Sequence, residues 1–190
     1  PKTIATQMRL YPFFVTAKKQ RQPKFAVLID PDKIEHLEQL QTLLDASKNA
    51  KVDFILIGGS LIVNDYLDTI IQHIKTHTQT PVILFPGSSR QLSYRADAIL
   101  FLSLISGRNP DLLIGKHVET APFLKRSPLE VLPTGYMLID GGVPTSVSYM
   151  SNTNPIPANK SDIAVCTALA GELLGLRLIY MDAGSGAANP

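Results

Sequence analysis

Phe25-Ala-Val-Leu-Ile-Asp-Pro-Asp-Lys33 is an apolar run of strand length that ends in a carboxylate, a proline, a second carboxylate and a lysine. Phe25 to Ile29 shows no polar alternation, which predicts a strand buried on both faces, as in a parallel sheet. Asp30 then sits at the C-terminal end of that strand. Pro31 stops the strand and can open a helix, because its missing N–H is not needed in a first turn. Parallel α/β proteins build their chemistry at the C-terminal ends of strands, so Asp30 is the first candidate residue.

The same pattern recurs along the chain. Phe54-Ile-Leu-Ile-Gly-Gly-Ser60, Val82-Ile-Leu-Phe85, Ala98-Ile-Leu-Phe-Leu-Ser103, a segment within Val131 to Ile139, and Leu178-Ile-Tyr-Met181 all read as short buried strands. Helical stripes fall between them: Ile34, Leu37, Leu40 and Leu44 share one face, as do Leu67, Ile70, Ile71 and Ile74. Asp32 with Glu35 has the spacing of a capping box. A leading helix is expected over Thr3 to Ala17, a helix over Leu112 to Leu124, and an apolar helix from Ile163 to Leu174 with Ser161 as its N-cap and Gly175 as its stop. Val143 to Asn159 is a long loop rich in Ser, Thr, Asn and Pro, of the kind that forms a lid or a floppy insertion.

Six strand-then-helix units fit either a doubly wound sheet or a (β/α)8 TIM-type barrel. The barrel is the expectation, because Gly, Ser and Asp close many strands instead of one switch point. Eight units need about 250 residues. The 190 residues are therefore expected to form one barrel domain, 1–190, lacking its last one or two βα units.

Composition narrows the function classes. Net charge is +2 with no basic block, so nucleic acid is not indicated. One cysteine, Cys166, rules out an intramolecular disulfide and favours a reducing, cytoplasmic setting. Its apolar context predicts a small core residue. The longest apolar stretch, Ala98 to Ile105, is too short to span a bilayer, so contact with a lipid or a membrane would be through a pocket or a surface.

Three clusters can carry chemistry. Asp30 at a strand end suits a hard cation such as Mg²⁺, which takes one or two carboxylates and completes its shell with phosphate oxygens and water. Asp32 reads first as a helix cap, and Lys33 as a phosphate partner or a solvated charge. Gly58-Gly-Ser60 lies one strand away; glycines admit close backbone approach, and a serine hydroxyl can ligate a metal or bond a phosphate. Tyr180-Met-Asp-Ala-Gly-Ser-Gly186 is the most specific. Its Gly-Ser-Gly end offers backbone N–H groups to an anion, and Asp182 is placed to accept or position a hydroxyl proton. Arg90, Arg108 and His117 follow strands three and four and read as surface groups.

These motifs, taken with Ile83-Leu-Phe-Pro-Gly87 and Ala98-Ile-Leu-Phe-Leu-Ser-Leu-Ile-Ser-Gly107, resemble the geranylgeranylglyceryl phosphate synthases over Lys24 to the last residue. Pro144-Thr-Ser-Val-Ser-Tyr149 and Asn152-Thr-Asn-Pro155 resemble the longer subgroup, with archaeal and some bacterial members. The resemblance implies a Mg²⁺-dependent prenyltransferase that joins a polyprenyl diphosphate to the C3 hydroxyl of sn-glycerol 1-phosphate, forming an ether-lipid precursor. It implies metal ligands at Asp30 and Ser60, glycerol phosphate held by Tyr180, Met181, Asp182, Ala183, Gly184, Ser185 and Gly186, and catalytic roles for Tyr180 and Asp182. It also implies a homo-oligomer, a dimer or larger. Many family members carry Glu where this chain has Asp182. A phosphosugar isomerase or synthase, and a non-catalytic paralogue that binds prenyl lipid or glycerol phosphate, are the competing readings.

Overall fold

The computed structural model describes residues 9–59, 63–64 and 66–189. Six strands form one sheet: β1 (Ala26–Ile29), β2 (Phe54–Ile57), β3 (Val82–Leu84), β4 (Ala98–Leu104), β5 (Glu130–Leu138) and β6 (Leu178–Asp182). Every neighbouring pair is parallel, and the spatial order is the chain order, β1 to β6. A doubly wound sheet reverses its order at a switch point. This one never does, so the winding is that of a barrel, here a half-barrel with β1 and β6 at its two edges.

One face of the sheet packs against α2 (Leu37–Asn49), α3 (Leu67–His77) and α4 (Lys116–Arg126). Leu40, Leu44, Leu67, Ile70, Ile71 and Ile74 are buried there against Ile29, Ile55, Ile57, Val82, Leu84 and Ile99. The Leu67, Ile70, Ile71, Ile74 stripe is buried as its spacing requires; of the first stripe Leu40 and Leu44 are buried, whereas Leu37 is exposed and Ile34 lies ahead of α2. The inner face is filled by Leu56, Ile83, Ala98, Leu100 and Leu132, and Leu10, Tyr11 and Phe14 of α1 (Leu10–Lys19) plug it. Glu130, the first residue of β5, accepts the N–H groups of both Leu10 and Tyr11. A carboxylate thus serves two orphan donors at the N-terminus of α1, where the helix dipole also favours negative charge. This seats α1 at the N-terminal end of the strands and leaves the opposite end open.

Several local expectations are corrected. β1 is not buried on both faces: Leu28 is 48% and Phe25 53% exposed, because an edge strand has a neighbour on one side only. Asp32 and Glu35 make no capping box. α2 begins after His36 with no side-chain cap, and Pro31 to Lys33 form a separate tight turn capped by Asp30. No helix links β3 to β4 among the described residues; the connection is a loop held by side chains, so one strand-then-helix unit is missing its helix. A π-type turn, Asp111–Gly115, precedes α4. Ser161 is the first helical residue of α6 (Ser161–Leu173), not its cap.

The long loop after β5 is built, not floppy. It contains α5 (Ser146–Ser151), opened by a capping box in which the Thr145 side chain accepts from Ser148 N and the Ser148 side chain accepts from Thr145 N. Asn109 Nδ2 donates to Ser151 O at 2.8 Å, and Ile156 bridges to Ile139. The stop at Gly175 is as expected: its φ is 89°, Leu176 N donates to Gly171 O, and Gly175 N to Glu172 O. That is a complete Schellman closure. No described helix is long and apolar enough to cross a membrane.

Candidate functional site

The chemistry-bearing residues collect at the C-terminal ends of the strands, in two groups at the two edges of the sheet. The β6 edge holds the first. Strand alternation sends Tyr180 and Asp182 to the inner face and Met181 to the other. Tyr180 joins Phe85 and Tyr136 in a ring cluster, with centroids 5.0 Å from Phe85 and 5.8 Å from Tyr136. Tyr136 Oη donates to Asp182 Oδ2 at 2.8 Å, and Gly184 N donates to Asp182 Oδ1 at 2.8 Å. Both carboxylate oxygens are thus oriented, one from a strand and one from the loop. Each keeps a further lone pair, since a carboxylate offers about four acceptor directions.

Burial pushes the Tyr136 phenol far above its ordinary range, and the adjacent Asp182 charge adds to this. Tyr180 is raised for the same two reasons, burial first. Both are neutral donors at any ordinary pH. Met181, 61% exposed, can reach an inner-face ligand only through its backbone.

The loop beyond β6 turns at Gly184, where φ is 86° and a Cβ would lie 2.6 Å from Thr145 Oγ1. Only glycine serves there. Its N–H is already given to Asp182, whereas the N–H groups of exposed Ser185 and Gly186 have no partner among the described residues. Ala188 N and Asn189 N both donate to Gly141 O, tying this loop to the end of β5. Between the two loops lies a cleft of about 980 Å³, bounded by Asp140 to Thr145, α5 and Ala183. Asp140 Oδ1 accepts Gly142 N at 2.9 Å and shapes its rim.

The β1 edge holds the second group. Asp30 Oδ1 accepts Asp32 N at 3.1 Å. Gly59 lies against this carboxylate: a Cβ there would stand 3.2 Å from Asp30 Oδ1. Gly58 has φ 151° and no room at all, with a Cβ falling 1.9 Å from Phe85 O. Gln91, buried in the β3–β4 loop, donates to Gly59 O at 2.9 Å and accepts Gly87 N at 2.9 Å. It clamps the ends of β2 and β3 together. Ser60, the other expected metal ligand, lies outside the described residues.

Asp32 turns away from this group. Its carboxylate accepts Val63 N at 2.7 Å and Asn64 N at 3.1 Å. These backbone donors, Val63 first, hold it below the usual carboxylate range. It organises a loop and caps no helix.

Two further expectations fail. Cys166 is exposed, because α6 carries apolar residues on more than one face and meets the sheet through a narrow contact at Gly171. Gly135 and Gly171 face the same three side chains, Ile105, Leu176 and Ile179. His117 is buried, with Phe101 edge-on at 4.5 Å; the backbone of Leu102 and Ile114 lies near the ring, but neither ring nitrogen makes a well-formed hydrogen bond among the described residues. Arg90 is exposed as expected. Sequence reading missed Tyr136, Gln91 and the Asp140 rim. Tyr136 carried a findable signal, since it shares the inward parity of β5 one strand from Tyr180. Gln91 carried none.

Comparison with known proteins agrees with this geometry. Residues 17–190 match the PcrB family. A geranylgeranylglyceryl phosphate synthase from Chitinophaga pinensis is 55% identical over 96% of the chain and 72% of its own length. One from Spirosoma linguale is 57% identical over 87% of the chain and 66% of its own length. Among solved structures, the wild-type GGGPS of Thermoplasma volcanium superposes with a TM-score of 0.85 at 31% identity, covering 95% of the chain and 71% of that protein. The Thermoplasma acidophilum (S)-3-O-geranylgeranylglyceryl phosphate synthase, solved in complex with substrate sn-glycerol-1-phosphate, gives 0.84 at 32% identity, covering 94% and 71%. A half-barrel wound in chain order, with its polar groups at the strand ends and these relatives around it, belongs to the PcrB family.

Proposed function

We propose that this chain serves the transfer of a polyprenyl group from its diphosphate to the C3 hydroxyl of sn-glycerol 1-phosphate. The observation that carries the reading is Asp182, held by two donors at the β6 end and followed by the unpartnered N–H groups of Ser185 and Gly186. A ligand with a phosphate at one end and a hydroxyl at the other matches that order of groups. The relative solved with sn-glycerol-1-phosphate supports the choice of acceptor.

In the reaction the C1–O bond of the allylic diphosphate breaks, and diphosphate leaves with the electron pair. The acceptor hydroxyl forms the new C–O bond at C1 and gives up its proton. Asp182 accepts that hydroxyl's hydrogen bond and takes the proton. Tyr136 keeps the carboxylate aimed, and Tyr180, held neutral by burial, offers its hydroxyl as a donor on the same face. Ser185 and Gly186 anchor the phosphate through their backbone, which fixes the distance between hydroxyl and carboxylate.

The proposed Mg²⁺ fits the β1 edge. Asp30 presents one carboxylate, and Gly59 keeps the space beside it free of a side chain. No group of three or more His, Cys, Asp or Glu converges among the described residues. That suits a cation bound by one carboxylate with the remaining shell from phosphate and water. Asp30, with Ser60, would hold the ion, whose chemistry there would be to neutralise charge on a leaving diphosphate.

A cytoplasmic enzyme that associates with copies of itself completes the reading. α6 and its C-cap expose Val165, Leu169, Leu173 and Leu174, the last two above 80%, and an exposed apolar surface of this kind calls for cover. Light scattering at micromolar concentration is expected to show a dimer or larger, and a monodisperse monomer counts against it. The decisive experiment incubates the protein with labelled glycerol 1-phosphate and a series of prenyl diphosphates. An organic-soluble product that depends on magnesium is expected; no such product with any donor overturns the reading and leaves the phosphosugar and non-catalytic alternatives.

A further inference from the structure

We infer that the ring cluster of Phe85, Tyr136 and Tyr180 stabilises a cation, with Phe85 as a catalytic residue whose ring meets the developing positive charge on the prenyl C1. This rests on the transfer reaction proposed above. The rings stand between the two carboxylate groups. Phe85 N donates to Ile57 O at 2.8 Å, and Gly58 N donates to Ile29 O at 3.1 Å, so the end of β3 is tied through β2 to the residue before Asp30. Gly58 and Gly59, which lie between, carry no side chain. On the inner face the Phe85 ring comes within 5.0 Å of Tyr180 and 6.1 Å of Tyr136, centroid to centroid, and Tyr136 holds Asp182.

The chemistry calls for such a group. When the C1–O bond breaks, its electron pair leaves with diphosphate and C1 acquires allylic positive charge. The acceptor oxygen then supplies a pair to C1, and its proton passes to Asp182. In that interval the charge needs a partner that is electron-rich and does not bond to it. An aromatic face attracts a cation through its quadrupole and, unlike a carboxylate, does not trap it as an ester. Burial keeps both phenols neutral, so neither supplies a phenolate to compete with the acceptor.

The rings are open to a charge. They incline to one another by 56° to 71°, so none lies flat on another, and Phe85 and Tyr180 are half-buried at the open strand ends. The cationic side chains that stand over rings among the described residues, Lys24 on Phe13 and Arg177 on Tyr11, belong to the opposite end of the sheet. Of the three rings, Tyr136 is buried and committed to Asp182. Phe85 is the one that adjoins the β1 edge, where the diphosphate is proposed to leave.

Fluorinated phenylalanines incorporated at position 85 test it, because each added fluorine weakens the attraction of the ring face for a cation while nearly preserving its shape. Single-turnover prenyl transfer from geranylgeranyl diphosphate to glycerol 1-phosphate should slow stepwise from the monofluorinated to the trifluorinated ring. Phe85→Leu should slow it about 30-fold. Glycerol 1-phosphate affinity by calorimetry should not change. The same series at Phe123, stacked on Tyr94 in the outer layer, should leave the rate unaltered. A flat series at position 85 in an active enzyme, or an equal fall at Phe123, overturns the cation role and leaves the transfer reading standing. A parent that makes no prenylated product with any donor overturns the transfer reading itself, and this inference with it.

Discussion

The two edges of the sheet each end in a carboxylate proposed to serve the reaction, and the two are held differently. Asp30 accepts from a residue two positions along its own turn. Asp182 accepts in the same local way from Gly184 N and adds Tyr136, 46 residues away, inside an aromatic cluster. The first arrangement is local only, which suits the ion-holding role proposed for Asp30. The second is anchored from across the sheet, which suits the hydroxyl-orienting role proposed for Asp182; both residues are half-buried. With those roles, charge is the valuable property of Asp30, and position that of Asp182.

That contrast can be broken most severely at Asp30. Asp30→Asn keeps the turn cap, since Asn caps as well as Asp, but removes the charge. Turnover in a magnesium titration should fall roughly 10²- to 10⁴-fold, given that metal stabilisation of a leaving group amounts to several kcal/mol. Glycerol phosphate affinity by calorimetry and the urea midpoint should barely move. Wild-type turnover, or an equal loss of glycerol phosphate affinity, would show that the ion is not at β1.

Gly58→Ala attacks the backbone frame of the same edge. Its Cβ would stand 1.9 Å from Phe85 O at a positive φ, a contact that neither backbone can relieve. A loss of about 3 kcal/mol in urea unfolding is expected. A loss below 1 kcal/mol would mean that the β2 and β3 ends are less tightly joined than Gln91 suggests.

Tyr136→Phe probes the β6 edge. It removes one hydrogen bond to a charged acceptor while keeping the ring cluster, so about 1.5–3 kcal/mol of stability should be lost. Asp30→Asn should lose none of that. Equal stabilities for the two variants would erase the difference between the edges.

His117 supplies the smallest effect and a control remote from both carboxylates. Burial lowers its pKa from the ordinary 6.5. The unfolded chain then binds more protons than the folded one as pH falls below about 6.5, so stability declines on acidification. His117→Phe, which fills the site without an orphaned nitrogen, should flatten the change in melting temperature between pH 7 and pH 5. An unchanged pH dependence would show that this ring does not titrate with unfolding.

Much of this architecture is written locally. Apolar runs closed by Gly, Ser or Asp identify the strands, β5 despite its Pro133-Thr-Gly135 interruption, and the Leu67, Ile70, Ile71, Ile74 stripe identifies α3 and its buried face. The candidate residues at the strand ends follow from that periodicity, because alternation and chain direction are properties of consecutive residues. Their neighbours are another matter. That Leu28 faces solvent, that Cys166 lies on the outside of an apolar helix, and that no helix joins β3 to β4 depend on which surfaces meet. Tyr136 reaching Asp182, Gln91 clamping two loops, and Glu130 capping a helix 120 residues away are contacts between side chains that share no local pattern. Sequence alone determined the strands, their direction and the end at which the chemistry sits, because short-range sterics and hydrophobic periodicity act along the chain. Only the tertiary structure decided which carboxylate is anchored from across the sheet and which only from its own turn, because long-range hydrogen-bond partners are set by packing.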